Sequence, residues 1–368
     1  LASIYIGLIS GTSADGIDAV AVRFKNNQIK QIGAITHQYT PDCRNKILTI
    51  QTQAISLSQI GQLDTLIGEQ FAQATSLLIK KFSLDKRQIK AIGSHGQTLK
   101  HAPNGSLPFS LQLGNPSLIA ERTQITTIAN FRQKDIAAGG QGAPLVPAFH
   151  QAWLSNMTKS AGVLNLGGIA NLTILGQDST SPIMGFDCGP ANTLMDAWMR
   201  REYQQPYDTN GENARTGRVN THLLNQLLVH DYFKQIPPKS ADIDQFSLQW
   251  LDSILNNIQA IKAEDITRTL CELTISSVAA AIERYAPTIE TVIACGGGCK
   301  NSFLMEMLAA KIDPIKVKLS DDYGVGSDWV EGVAFAWLAK QTLLQLPGNA
   351  PLATGASHEC ILGGIYHP

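Results

Sequence analysis

The segment Gly185-Phe-Asp187-Cys-Gly189-Pro-Ala-Asn192-Thr-Leu-Met-Asp196-Ala-Trp198 sets a carboxylate at the end of an apolar run, against a glycine turn that opens a helical pattern. A carboxylate so placed can take a proton from an attacking nucleophile or orient it, and the helix N-terminus beyond it can stabilise phosphate charge. The same residue could be a turn carboxylate bonded to local N–H groups, and position alone leaves the two readings level. Asp196, one helical turn past Asn192, reads as structural. The other polar candidates are His95, Arg132, Asp135 and Glu331. His95 lies in Gly93-Ser-His-Gly96, read as the cleft-like end of a strand, where a loop imidazole with a backbone partner is the plainer account. Arg132 could clamp a carboxylate or phosphate, or form a surface salt bridge. Glu331 fits a capping box in Asp328-Trp-Val-Glu331.

Glycine turns surround these candidates. Tyr5-Ile-Gly-Leu-Ile-Ser10-Gly11-Thr12-Ser13-Ala14-Asp15-Gly16-Ile17-Asp18-Ala-Val-Ala-Val22 reads as a β-hairpin whose turn can wrap a phosphate. Its glycines allow close backbone approach, and loop N–H groups with the Thr12 and Ser13 hydroxyls can donate to anionic oxygens. A similar strand–turn–strand recurs at Gly162-Val-Leu-Asn165-Leu-Gly167-Gly168-Ile-Ala-Asn171-Leu-Thr-Ile-Leu175. Two further turns follow strands at Gly185–Gly189 and Gly296–Gly298. One such turn is ordinary chain chemistry; their regular placement points to a nucleotide held between two related lobes. Other signatures are missing. No Gly precedes a Lys, Asn301 breaks the GxGxxG begun by Gly296, there is no HExxH, and Gly93-Ser-His-Gly96 lacks the first glycine of a nucleophile elbow.

The elements that must position these residues alternate between strand and helix. Strand patterns fall at about 3–9, 17–24 and 29–38. A helix over about 58–82 carries Ile60, Leu63, Ile67, Phe71, Ala74 and Leu78 on one face. Further strands are expected at Ile89–Gly93, Leu107–Leu113 and Ile125–Ala129, and the glycine-rich stretch 135–144 is read as the crossing between lobes. In the second half the hairpin is followed by a strand at Ile183–Phe186, a helix from Asn192, a polar insertion over about 204–250, a helix over about 267–285 and a strand at Thr291–Ala294. Asn301 is a good N-cap for the next helix, and a last helix begins near Asp328. The class is α/β with mixed sheets.

The chain has 368 residues, enough for two domains, and its 44% hydrophobic content supports a sizeable core. Its net charge of −1, from 29 basic and 30 acidic residues without a basic stretch, argues against nucleic acid as the main partner. No apolar run approaches the ~20 residues that cross a bilayer, and no secretion signal is expected from the start of the chain. The cysteines at 43, 188, 271, 295, 299 and 360 fit neither a disulfide framework nor paired zinc knuckles, and read as reduced thiols of a cytoplasmic protein.

Six motifs, in order, make the chain recognisable: Gly7-Leu-Ile-Ser-Gly-Thr-Ser-Ala-Asp-Gly-Ile-Asp18, Ile92-Gly-Ser-His-Gly-Gln-Thr98, Ala138-Gly-Gly-Gln-Gly-Ala-Pro-Leu-Val-Pro147, Gly185-Phe-Asp-Cys-Gly-Pro190, Cys295-Gly-Gly-Gly298 and Glu331-Gly-Val-Ala-Phe-Ala-Trp337. Together they resemble those of anhydro-N-acetylmuramic acid kinases. The resemblance implies a two-lobed actin-like (ribonuclease H-like) sugar kinase fold with a mixed sheet in each lobe, the first lobe being residues 1–133 with 345–368 and the second 134–344. It implies ATP with Mg²⁺ in the cleft, bound through Gly11–Asp18, Asn165, Gly167, Gly168, Gly189 and Gly296–Gly298, with the sugar deeper between the lobes. It implies that water opens 1,6-anhydro-N-acetylmuramic acid as the freed oxygen takes the γ-phosphoryl group, in cell-wall recycling. The family's catalytic aspartate falls on Asp187, as the base for that water; Glu331 would help position sugar or water. Arg132 is assigned to the lactyl carboxylate, and His95 also to the substrate. Many relatives in the wider superfamily place an Asp before the first Gly-Thr, where this chain has Ile9 and Ser10, so the metal is left to Asp15, Asp18 or Asp187. A homodimer is expected. A kinase of an open amino sugar and a non-catalytic actin-like ATP switch are the alternatives.

Overall fold

The computed structural model describes residues 3–11, 14–25, 28–53, 55–154, 157–158, 160–176, 182–241 and 243–368. They form two compact units, Leu1–Trp153 with Gly324–Pro368, and Leu154–Tyr323.

The first unit opens with an antiparallel meander of β1 (Ser3–Ser10), β2 (Ile17–Lys25) and β3 (Gln28–His37). After α1 (Pro41–Thr52) and α2 (Leu57–Lys81), β4 (Ile89–Ala102) runs parallel to β1. β5 (Phe109–Leu113) turns back along β4, and α3 (Pro116–Thr123) leads to β6 (Thr127–Ala129), parallel to β4. Helices α4 (Phe131–Ala137) and α5 (Val146–Leu154) follow.

The second unit repeats the plan. Its meander is β7 (Ala161–Leu166), β8 (Ile169–Ile174) and β9 (Met184–Pro190). Then come α6 (Asn192–Tyr203), α7 (Glu212–Thr216), α8 (Thr221–Leu228), α9 (Leu248–Leu255) and the long α10 (Ala263–Tyr285). β10 (Thr291–Cys295) runs parallel to β7, and beyond α11 (Ser302–Lys311), β11 (Lys316–Leu319) runs parallel to β10. The chain returns to the first unit with α12 (Val330–Leu343), α13 (Pro351–Thr354) and β12 (Gly364–Tyr366), which closes the first sheet antiparallel to β6. The sheet orders are β12-β6-β4-β1-β2-β3, with β5 on β4, and β11-β10-β7-β8-β9. Both sheets are mixed, so the α/β class expected from the sequence holds.

The α2 stripe folds as its spacing dictates. A Ser56–Gln59 capping box starts the helix, and Leu63, Ile67, Phe71, Ala74 and Leu78 are buried against β1 and β2 residues such as Ile6, Leu8 and Ile17. Each of the larger side chains contributes about 1.5–3 kcal/mol by leaving water. α12 covers the opposite face by a different device. A Cβ on Gly7 would overlap the Gly332 carbonyl, and one on Gly93 the Phe335 carbonyl. Helix and sheet therefore meet backbone to backbone along a glycine seam. This seam assigns α12 to the first unit, whereas the sequence grouped 134–344 together. The stretch 135–144 also lies inside the first unit and is not the crossing. Asp135, fully buried, accepts from Gly142 N (2.7 Å), Asn349 Nδ2 (2.9 Å) and Thr354 Oγ1 (2.8 Å) and pins it there.

Gly7→Ala is expected to cost about 3 kcal/mol or more, because neither clashing group is a side chain that can turn aside. Gly61→Ala, inside α2 with no atom within 4 Å of the new methyl, is expected to stabilise by about 0.5–1 kcal/mol. Urea midpoints of the two variants check both signs.

Candidate active site

The first glycine turn joins β1 to β2. Ala14, buried and left-handed at φ 52°, donates its N–H to Gly11 O at 3.1 Å. Thr12 and Ser13 lie outside the described residues. Gly16 O is 2.8 Å from the Ser10 hydroxyl, which is also 2.7 Å from Gln97 Oε1. Gln97 Nε2 donates to Gly11 O at 3.0 Å. Ile17 is buried, so only its backbone can face a ligand. Asp18 accepts from Thr36 Oγ1 at 2.6 Å, and exposed Asp15 pairs with Arg44 at 3.2 Å.

His95 lies within β4, not beyond its end. The register steps from Leu8 beside Ser94 to Ser10 beside Gln97, so Ile9 stands against both His95 and Gly96. This bulge, with Gly96 at φ +80°, re-aims its neighbours. His95 packs on Phe335 of α12, ring centroids 4.7 Å apart. Its Nε2 accepts from Arg132 Nε at 2.9 Å, which places the ring proton on Nδ1, 3.0 Å from Gly96 O. Burial, and then the Arg132 charge, hold this imidazole well below its ordinary pKa, so His95 is a neutral acceptor that orients Arg132. Arg132 Nη1 donates to Gly142 O at 2.7 Å, and Glu331 and Asp135 attract its charge. Glu331 is exposed in the first turn of α12. The capping-box reading puts the cap at Asp328, whereas α12 has its N-cap one residue later, at Trp329, which makes no side-chain cap hydrogen bond.

In the second unit Asp187 sits on β9 directly opposite Asn171 of β8. Its Oδ1 accepts from Asn171 Nδ2 and its Oδ2 from Ala241 N, both at 2.8 Å. Its carbonyl takes the Tyr232 hydroxyl at 2.8 Å, and its N–H donates to Lys239 O at 3.2 Å. Lys239 is buried, 4.5 Å from the Tyr232 ring centroid. Burial raises the Asp187 carboxyl above the ordinary 3.8, against the pull of Asn171, Ala241 N–H and the Lys239 charge. The result is a carboxylate oriented from both sides and more basic than usual.

The second hairpin turn, Gly167–Gly168, is held by α6. Gly168 O accepts from Ala191 N (3.0 Å) and Thr193 N (3.1 Å), and Gly167 O from Asn192 N (3.1 Å). Three N–H groups at the N-terminus of α6, which the sequence offered as able to stabilise phosphate charge, thus hold the hairpin. Asn192 Nδ2 also donates to Leu166 O at 2.9 Å. Gly296 and Gly298 fit against Asn165 and Leu166 of β7, while Gly297 is exposed with open space beside it. Gly189 is buried, and a Cβ there would meet Phe233 and Ser277, so packing alone accounts for its lack of a side chain.

Among the described residues no group of three or more His, Cys, Asp or Glu could hold a metal. Each Asp187 oxygen accepts one N–H and keeps a second lone pair, and Asp15 and Asp18 each have a partner at Oδ1, so all three remain as the expected ligands. Such separate carboxylates fit magnesium carried mainly by phosphates and water, and not an all-protein cage.

Against known families, residues 3–368 match the model for anhydro-N-acetylmuramic acid kinase. The chain belongs to the anhydro-N-acetylmuramic acid kinase family. Relatives bearing that name include one from Vibrio vulnificus strain CMCP6, 45% identical over 99% of this chain and 98% of its own. One from Xanthomonas axonopodis pv. citri is 44% identical over 99% and 98%. Among solved structures, (R)-2-hydroxyglutaryl-CoA dehydratase component A of Acidaminococcus fermentans is 10% identical, with a TM-score of 0.49 over 92% of this chain and 99% of that one; a likeness so distant has no bearing on activity.

Within the family's motifs, the structure brings His95, Arg132 and Glu331 into one neighbourhood of the first unit and shows Asp187 ringed by residues that the sequence reading left unassigned. Asn171 was visible inside the second hairpin, opposite Asp187 once the register is set. Gln97 stood in the Gly-Ser-His-Gly-Gln motif. Tyr232 and Lys239 lie in the polar insertion, where no pattern marked them. Of the structural assignments, the His95 tautomer is directly observable. Its ring is expected to remain neutral and Nδ1-protonated between about pH 5 and 8, read from ring ¹⁵N shifts; a titration in that window would contradict the Arg132 contact.

Proposed function

We propose that the chain is an ATP-dependent kinase that hydrolytically opens 1,6-anhydro-N-acetylmuramic acid and phosphorylates it to N-acetylmuramic acid 6-phosphate, in peptidoglycan recycling. The family match over residues 3–368 carries this reading. Asp187 is the base. Water oxygen bonds to C1 while Asp187 takes its proton and the C1–O6 bond breaks. The carbon becomes oxocarbenium-like, which acidifies the incoming water and lets a carboxylate serve. The freed O6 attacks the γ-phosphorus, the bond to the β-phosphate oxygen breaks, and ADP leaves. Magnesium carried with ATP, with Asp15, Asp18 and Asp187 as the candidates to hold it, would supply neutralisation of phosphate charge. Arg132 binds the lactyl carboxylate, held in place by His95 and Gly142 O. Glu331 positions sugar or water. The Gly11–Asp18 turn, Asn165, Gly167, Gly168 and Gly296–Gly298 serve ATP. The family resemblance brings a homodimer into the proposal, and the cysteine pattern a cytoplasmic setting; among the described residues no helix is long and apolar enough to cross a membrane.

ADP and sugar phosphate measured with ATP, Mg²⁺ and the anhydro sugar test the reading. Sugar-dependent turnover is expected, with kcat lowered at least about a hundredfold by Asp187→Asn. No turnover on this sugar would overturn the substrate, and full activity in the variant would overturn the role of Asp187.

The pH profile tests the base separately. A carboxylate with raised pKa loses its ionised form at higher pH than an ordinary one, so the acid limb of kcat/KM is expected above pH 3.8. Asn171 donates to the ionised form, so Asn171→Ala is expected to move that limb further up. A limb that stays or moves down contradicts the assignment.

A further inference from the structure

We infer that Gln97 is a positioning residue that holds the Gly11 carbonyl, at the entry of the first glycine turn, for the binding of ATP. This rests on the proposed ATP-dependent reading and deepens it.

Gln97 is fully buried in β4, beside Ser10 in the sheet register. Its amide orientation is determined by its partners. The acceptor Gly11 O lies 3.0 Å from one end, so that end is Nε2. The other end, Oε1, then faces two hydroxyls, Ser10 at 2.7 Å and Tyr39 at 3.3 Å. Burial raises the Tyr39 phenol above its ordinary pKa, so it stays a donor. Ser10 lies within reach of both Gln97 Oε1 and Gly16 O. One buried amide therefore holds the entry of the turn directly and meets the hydroxyl beside its exit.

The Gly11 carbonyl also accepts from Ala14 N. Two donors therefore occupy this oxygen, one of them the buried Gln97 amide. An anion-binding turn needs its carbonyls held away from the ligand and its N–H groups presented to it. Gln97 performs the first half of that task. It can do so only because the bulge at His95–Gly96 separates its direction from that of His95: His95 meets Phe335 of α12, while Gln97 meets Tyr39, which packs in the core shared with α2. Nothing in the proposed chemistry touches Gln97, so its effect must appear in ATP binding and not in the sugar.

The test uses the full chain with a non-hydrolysable ATP analogue and Mg²⁺ in calorimetry, beside KM for the anhydro sugar at saturating ATP. Gln97→Leu is expected to weaken analogue binding about tenfold, the effect of losing one buried hydrogen bond, with the sugar KM within about twofold of wild type. Should Gln97→Leu fail to fold, Tyr39→Phe removes one donor while keeping the ring, and is expected to weaken analogue binding about two- to threefold on the same scale. Gln97→Glu supplies the readout that a packing role would not move. Its ionised carboxylate repels Gly11 O, whereas its protonated form can donate to it, so analogue affinity is expected to recover as pH falls. Wild-type affinity in folded variants, or equal losses for analogue and sugar, would overturn the inference. Wild-type protein that does not bind the analogue would overturn the ATP-dependent reading itself, and the inference with it.

Discussion

The approach of α12 to the first sheet is the constraint from which the site in that unit follows. Gly7 and Gly93 leave no side chain between the sheet and the carbonyls of Gly332 and Phe335. Helix and strands are thereby held closer than ordinary side-chain packing allows. That distance sets the Phe335 ring behind His95 and fixes where the first turn of α12, with Glu331, begins. A bulkier contact would lift the helix and separate the imidazole from the ring that supports it. The acceptor for Arg132 would then lose its alignment, although no residue of the seam is itself polar.

Electrostatics in the second unit obey a comparable logic. Burial alone would raise the Asp187 carboxyl further; full hydration would leave it at the ordinary, weakly basic value. The two N–H donors from Asn171 and Ala241, and the nearby Lys239, counter part of the burial effect. They also fix the carboxylate plane, which an exposed side chain would not keep. The donors come from a neighbouring strand and from a distant insertion, so orientation and basicity are set together by tertiary structure.

Much of the frame was legible because local rules produce it. The Leu63–Leu78 stripe, the two antiparallel hairpins and the Asn301 cap depend on periodicity and on single-residue chemistry, and the structure keeps each. Asp187 was legible as a candidate carboxylate beside its glycine turn. What the sequence did not reveal depends on register. The β4 bulge is one extra residue against Ile9, invisible to a pattern of apolar residues, yet it decides that His95 lies inside a strand and where Gln97 points. Arg132 looked like either a clamp or a surface ion pair because its neutral partner, His95, lies far from it in the chain. The capping-box spacing at Asp328–Glu331 placed the cap one residue before Trp329, where α12 has it.

The two glycine turns show how one topology supports two solutions. Each follows the first strand of a meander, and each must leave its backbone free of its own carbonyls if it is to meet an anion. In the first unit the Gly11 carbonyl is taken by a side-chain amide and by Ala14 N. In the second, the Gly167 and Gly168 carbonyls are taken by the opening N–H groups of α6. That use removes those N–H groups from phosphate binding, so the helix acts through the hairpin it holds. Satisfying a carbonyl on one side of a peptide turns the N–H on the other side outward, because the unit is planar. Helix cap and buried glutamine thus occupy turn carbonyls by different means, and a search for phosphate-binding N–H groups should begin with the residues that restrain the carbonyls.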